Sequence, residues 1–278
     1  MKKTLHFILT AALSAAVAGA SASTPAATAN FIETTRGLDI PMVFIGETTF
    51  RMGGTPDQDQ PEDDETVHNV TLSSFYIAAT EITQSQWEKV MGTTIGQMKE
   101  KAGSTARSYG EGADHPMYYV SWNDAILFCR RLSALTGLNY RLPTEAEWEL
   151  AARGGSESPQ TKFAGSDNLD DVGWYVDNAD VDRFNKGNPD SHPVTTLAPN
   201  RLGIFDMSGN VCEWVLDFYS PYADTPAVNP VGRPYNGDRV YRGGAFRSSK
   251  DYCRVAFRNS NSPTFASEIT GFRVVCEP

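Results

Sequence analysis

The chain has 278 residues, 40% of them hydrophobic and 11% aromatic, enough to bury a substantial core. Its formal charge of −10 argues against nucleic acid or an anionic membrane surface as partner, and is compatible with calcium or a cationic substrate. Four cysteines, with no Cys-x-x-Cys pair, argue against a structural zinc site.

The first 22 residues stand apart. Met1-Lys2-Lys3 is a basic head and Leu5 to Ala18 an apolar run. Ala18-Gly19-Ala20 and Ala20-Ser21-Ala22 are both small-x-small cleavage sites. Residues 1–22 therefore read as a signal peptide, and the protein as exported, periplasmic or extracellular. The run is short for a hydrocarbon core of about 30 Å, so no membrane span is expected after cleavage. Residues 23–37 read as a flexible lead-in. Residues 38–278 show no internal linker and read as one domain. In an exported chain, four cysteines suggest disulfides, with three possible pairings that spacing does not choose between.

Met42 to Ile45 and Thr48 to Met52 are strand candidates separated by Gly46, with Gly53-Gly54 marking a turn after them. Asp57 to Glu65 is an acidic, solvated loop. Val67, Val70, Leu72, Phe75 and Ile77 form a further strand or hairpin; His68 has no second histidine or cysteine near it to make a metal site. Three helices declare themselves by capping boxes: Thr83 with Gln86, Ser121 with Asp124, and Thr144 with Glu147. On the second, Ala125, Phe128, Cys129 and Leu132 fall on one buried stripe. The third runs from Glu145 to about Arg153 and stops at Gly154-Gly155. From Gly154 to Pro199 little regular structure is expected; a compact irregular segment of this length is usually functional. Arg239 to Arg242 and Phe272 to Val275 are late strand candidates. These patterns predict an α+β domain with short strands and a large irregular fraction.

Several segments in order carry a family resemblance: Phe75-Tyr76-Ile77 with Glu81-Ile82-Thr83, Val120-Ser121-Trp122-Asn123-Asp124-Ala125, and Arg141-Leu142-Pro143-Thr144-Glu145-Ala146-Glu147-Trp148-Glu149. Gly203-Ile204-Phe205-Asp206-Met207-Ser208-Gly209-Asn210-Val211-Cys212-Glu213-Trp214, Arg239-Val240-Tyr241-Arg242-Gly243-Gly244 and Gly271-Phe272-Arg273 complete the set. From about Leu38 to the C-terminus the chain resembles the formylglycine-generating enzyme (sulfatase-modifying factor) family. That resemblance implies a C-type-lectin-like variant of the α+β class with little regular secondary structure.

It also implies structural calcium at the Gly203–Trp214 stretch, with the Asp206 side chain, the Gly209 and Val211 carbonyls and the Glu213 carboxylate as ligands. Such hard oxygens suit calcium. A looser upstream match offers Asn178, Asp180 and Asp182. Aerobic enzymes of the family oxidise a substrate cysteine to formylglycine with oxygen and a copper ion held by two cysteines. Here Cys253 stands at the second copper position, Ser248 at the first, and Ala245 replaces a motif serine. A hydroxyl is a poor ligand for Cu(I), so the two-thiolate copper site is broken. Cys212 replaces a tryptophan that lies near the family's active cysteines, so Cys212 and Cys253 are expected as neighbours: disulfide-bonded, inert, or a replacement metal-binding pair. The resemblance further implies a Cys129–Cys276 disulfide. His192, Tyr219, Tyr222 and Arg247 are candidates to line a cleft over Ser248, Cys253 and Cys212. Two functions remain open: an oxidoreductase acting on a peptide or peptide-derived substrate, and a non-catalytic, calcium-stabilised binding or assembly module for a protein partner.

Overall fold

The computed structural model describes residues 29–54, 62–180 and 188–278. The predicted signal peptide lies outside the described residues, as do most of the acidic loop and Asp182. In chain order the elements are β1 (Phe31–Glu33), β2 (Ile40–Ile45), β3 (Thr48–Met52), β4 (His68–Leu72), β5 (Phe75–Ala78), α1 (Gln84–Met91), α2 (Ile95–Lys101), α3 (Trp122–Thr136), β6 (Tyr140–Arg141) and α4 (Glu145–Ala152). After a long irregular stretch come β7 (Cys212–Phe218), β8 (Ala227–Val228), β9 (Arg239–Arg242), β10 (Arg258–Asn261), β11 (Thr270–Gly271) and β12 (Val275–Cys276). The strands form three sheets, ordered β1-β2-β5-β12-β6, β10-β9-β7-β11 and β3-β4-β8. This is an α+β fold with little regular secondary structure.

Each α-helix begins at a complete capping box. Thr83, Thr94, Ser121 and Thr144 each accept from the backbone N–H three residues on, and Gln86, Gln97, Asp124 and Glu147 return the bond. Sequence reading missed α2 although Thr94-x-x-Gln97 carried the same signal. Its short, mostly exposed body buries only Met98, so no apolar period announced it. The α3 stripe is buried as its spacing requires. Phe128 stacks on Trp87 of α1 at 5.7 Å between ring centroids and meets Phe272 edge-on at 5.1 Å. Among the described residues no helix is long and apolar enough to cross a membrane.

α4 is buried on every side, three glutamates included. Buried carboxylates need charged partners, and helix geometry distributes them. Glu145 and Glu149, four apart, share a face and both meet Arg242 at 2.7 Å. Glu145 also takes a bidentate bond from Arg258, and Glu149 takes one from Arg153. Glu147 points away and is bridged by both terminal nitrogens of Arg141 at 2.7 and 2.8 Å. This clamp ties α4 to β9 and β10.

Two expectations are corrected. The Phe272–Val275 strand is split: β11 ends at Gly271 and β12 begins at Val275. Arg273, fully buried between them, turns inward to Glu213, and its Nη1 and Nη2 donate to the Ala78 and Phe205 carbonyls. The disulfides are absent: Cys129, Cys212, Cys253 and Cys276 are all unpaired and buried. Cys276 sits mid-sheet opposite Tyr76 and Tyr140 and is not bonded to Cys129 on α3.

Candidate functional site

The Gly203–Trp214 stretch is the crossroads of the irregular half. Asp206 (φ 58°) and Asn210 (φ 62°) adopt the left-handed conformation, and the β-branched Thr195 (φ 68°) facing Asp206 does so too. Clustered residues of this kind are held only where surrounding bonds over-determine them. Those bonds are present. The Asn210 N–H donates to the Trp174 carbonyl (2.9 Å), and the Phe246 N–H donates to the Asn210 carbonyl (2.8 Å). The Cys212 N–H donates to Ile269 (2.7 Å) and the Gly209 N–H to Gly243 (2.7 Å). The Asn210 side chain accepts from the His192 N–H at 2.9 Å and donates to Glu81 at 2.7 Å. Five chain segments, at Glu81, Trp174, His192, Gly243 to Phe246 and Ile269, are thus joined at one turn.

Behind it lie three buried carboxylates. Glu213 accepts from Trp148 Nε1 (2.8 Å) and from Arg273 Nε and Nη2 (2.6 and 2.7 Å). Asp206 accepts from the Thr195 N–H at 2.9 Å, and burial pushes its carboxyl up to about 6. Glu81 accepts from the Val211 N–H at 3.0 Å; burial, then the nearby Asp206 and Glu213, push it well above the usual carboxylate range. Arg273 is the cation that all three feel. Burial and mutual repulsion favour the protonated form of Glu81, so Asp206 and Glu213 carry the negative charge that faces Arg273, and their hard oxygens are of the kind a divalent cation takes. Among the described residues no three His, Cys, Asp or Glu side chains gather in a metal-holding arrangement, so a cation here would rest on backbone carbonyls as well.

Ser248 closes a tight turn. Its hydroxyl accepts from the Ala245 N–H at 3.0 Å, and its carbonyl accepts from the Val176 N–H at 3.1 Å. Cys253 is fully buried among Phe163, Leu169, Val172 and Tyr175. Burial pushes its thiol up to about 12. Cys212 is pushed higher still, by burial and then by the proximity of Cys253. Both thiols are unbonded, and burial disfavours the thiolate form of each.

Above this turn lies a half-exposed aromatic and cationic surface. The Tyr109 ring sits between Arg107 at 4.5 Å and Arg247 at 5.2 Å. Arg107 also meets Asp190, and Arg247 meets Glu268 at 2.9 Å. The Tyr109 carbonyl accepts from the Ser191 N–H (3.2 Å) beside His192, whose ring stacks on Trp174 at 3.7 Å. Val176, two residues beyond Trp174, is 39% exposed and bonded to Ser248. Of the four proposed cleft residues, His192 and Arg247 belong to this surface: Arg247 adjoins Ser248 in the chain and packs on Tyr109, and His192 stacks on Trp174. Tyr219 and Tyr222 instead pack against Arg258. Sequence reading missed Tyr109 and Trp174 as members of this face. Their only signal was aromatic residues in irregular, Gly-rich text, and the contacts that unite them span more than sixty positions of sequence.

Comparison with known proteins agrees with this architecture. The family model of the sulfatase-modifying factor enzyme 1-like domain matches residues 30–278. The formylglycine-generating enzyme of Streptomyces coelicolor is 34% identical over 276 residues, covering 81% of this chain and 85% of that one. The chaperone protein LppX of Paenibacillus barcinonensis is 31% identical over 249 residues, covering 74% and 81%. Among solved structures, Treponema denticola variable protein 1 superposes with a TM-score of 0.76 at 27% identity, covering 90% of this chain and 99% of that one. PvdO from Pseudomonas aeruginosa, at 24% identity and a TM-score of 0.71 over 90% and 98%, shares the fold. By its motifs, its full-domain match and its architecture, the chain belongs to the sulfatase-modifying factor enzyme 1-like family, to which the formylglycine-generating enzymes also belong.

Proposed function

We propose that this protein is an exported family member that binds a peptide or protein partner on the Tyr109–Arg247–Trp174 face and does not perform the copper-thiolate oxidation of cysteine. In this reading residues 1–22 direct export and residues 38–278 act as one domain, a C-type-lectin-like platform for its loops. The observation that carries it is the pairing of a broken copper site with an intact recognition surface. Ser248 stands at the first copper position with its hydroxyl engaged in a turn, and Cys253 is sealed below the surface. Directly above them, half-exposed aromatic rings and arginines have the composition of an interface anchor.

Selection of peptides from a random display library on the immobilised mature chain tests the reading. The selected peptides are expected to lose at least about ten-fold in affinity on Tyr109→Ala or Arg247→Ala, the scale of an interface anchor. The same peptides carrying a cysteine are expected to leave copper and oxygen treatment without an aldehyde. Formation of that aldehyde, or binding untouched by both substitutions, would overturn the proposal.

Calcium at the crossroads turn is part of the same reading, with Asp206, Gly209, Val211 and Glu213 as its ligands and its role structural. It is supported by the hard-oxygen side chains of Asp206 and Glu213 at this turn. Saturating calcium at about a hundred times its Kd stabilises a folded state by about 2.7 kcal/mol. Melting of the chelator-treated protein is therefore expected to rise by about 5–10 °C on adding calcium, and not in Asp206→Asn. An equal rise with magnesium alone, or none at all, would count against it.

A further inference from the structure

A second cavity shares no lining residue with the Ser248 face. It encloses about 230 Å³ between α4, the start of β4 and the segment from Ser220 to Arg233. Most of the polar groups around it are already satisfied. Arg258, on its floor, is held by both oxygens of Glu145 at 2.7 and 2.8 Å and by the Ser220 carbonyl at 3.1 Å. Asp217 accepts from the backbone N–H groups of Glu145 and Gly232. The floor is therefore sealed and presents no free charge.

Three groups remain. His68 is only 9% exposed and lines the cavity. Its Nδ1 lies 2.9 Å from the Thr66 carbonyl, which only accepts, so Nδ1 carries the proton. With the proton on Nδ1, Nε2 is left as an acceptor, and among the described residues no donor to it is seen. An acceptor lining a cavity takes its donor from water or from a ligand. The Ser220 hydroxyl likewise has no partner among the described residues. At the exposed rim, the Arg233 guanidinium is unpaired among the described residues. Between floor and rim the walls are apolar, with Met52, Pro221, Pro230 and Val231 among them. The His68 ring packs on Tyr222 at 4.9 Å, giving one wall an aromatic face.

An acceptor inside, an apolar waist and a cation at the rim define a ligand of matching polarity. We propose that this cavity binds a small aromatic monocarboxylic acid whose far end carries an O–H or N–H donor: the donor meets His68 Nε2, the ring fills the waist and the carboxylate pairs with Arg233. The site is independent of the partner-binding face and stands or falls separately from it.

Titration of the mature full-length chain with three probes tests the proposal, read by ligand-observed NMR and calorimetry. The probes are 4-hydroxyphenylacetate, phenylacetate, which lacks the donor, and 4-methylphenol, which lacks the carboxylate. 4-Hydroxyphenylacetate is expected to bind best, with each simpler probe about ten-fold weaker, the worth of one good hydrogen bond or ion pair. In His68→Phe the preference over phenylacetate is expected to vanish while that over 4-methylphenol persists. In Arg233→Ala, a substitution of an exposed side chain that leaves folding intact, the reverse is expected. Absence of binding, equal affinity for all three probes in the unsubstituted protein, or a preference that survives its matching substitution would overturn the proposal.

Discussion

Arg242→Met is expected to lower the unfolding free energy by about 3–5 kcal/mol, the typical effect of removing one partner from a buried ion pair. Arg242 is fully buried and donates to Glu145, to Glu149 and to the Val255 carbonyl, each at 2.7 Å. Methionine fills much of the same volume, so loss of packing is minor and the loss is electrostatic. Arg258 and Arg153 still face the two carboxylates after the change, which keeps the effect within this range rather than above it. Urea denaturation followed by tryptophan fluorescence measures it. Adding Glu149→Gln to Arg242→Met is expected to recover part of the loss, because the two changes act on one network and do not add. A loss below about 1 kcal/mol would mean that the clamp behaves like a surface pair and does not anchor α4.

Gly209→Ala is the second change with a large expected effect, and it acts on the crossroads turn. Gly209 has φ of 89°, and an added Cβ would lie 2.2 Å from the Trp174 carbonyl oxygen and 2.9 Å from its nitrogen. The left-handed backbone alone costs an L-residue about 1–2 kcal/mol. The collision is with main chain, which cannot rotate away, so the Trp174 strip must move. The bond from the Asn210 N–H to the Trp174 carbonyl would be lost with it. The total is expected at about 3 kcal/mol or more. Peptide binding on the Tyr109–Trp174 face is expected to weaken further than stability alone explains. Comparing Gly209→Ala with Gly203→Ala separates the causes, because Gly203 (φ 76°) has nothing within 4 Å of its added Cβ. Equal losses in the two variants would show that backbone strain, not the approach of Trp174, sets the cost.

Local signals transferred well from sequence to structure. The three capping boxes and the buried stripe of α3 were readable because they act over one or two helical turns. β3 matched its predicted bounds for a similar reason: alternation and the flanking glycines delimit it. The Gly203–Trp214 stretch was recognisable as unusual, and its second half is β7 rather than turn alone. Its conformation depends on donors and acceptors contributed from Trp174, His192, Gly243 and Ile269. No window of sequence contains those partners together.

The cysteines mark the boundary most sharply. Their number and the export signal favoured disulfides, yet the structure keeps all four sulfurs apart and buried. A disulfide requires both sulfurs to meet at specific geometry, and the position of Cys276 opposite Tyr140 is a property of its sheet neighbours, not of its spacing from Cys129. Tyr219 and Tyr222 were read as part of the Ser248 cleft; both pack against Arg258 of the α4 clamp instead, and Tyr222 also lines the cavity beside it.

By itself the sequence determined the family, three of the four α-helix starts, the acidic character and the presence of Ser248 where the family resemblance expects the first copper cysteine. Each of these is carried by residue identity or by short-range pattern. Only the tertiary structure decided that Cys253 is sealed, that Tyr109 and Trp174 join Arg247 on one face, and that three carboxylates share one arginine behind Asn210. Those facts are sums over contacts between segments far apart in the chain. Burial and charge balance are properties of the assembled interior, where the dielectric is low and each partner comes from a different element.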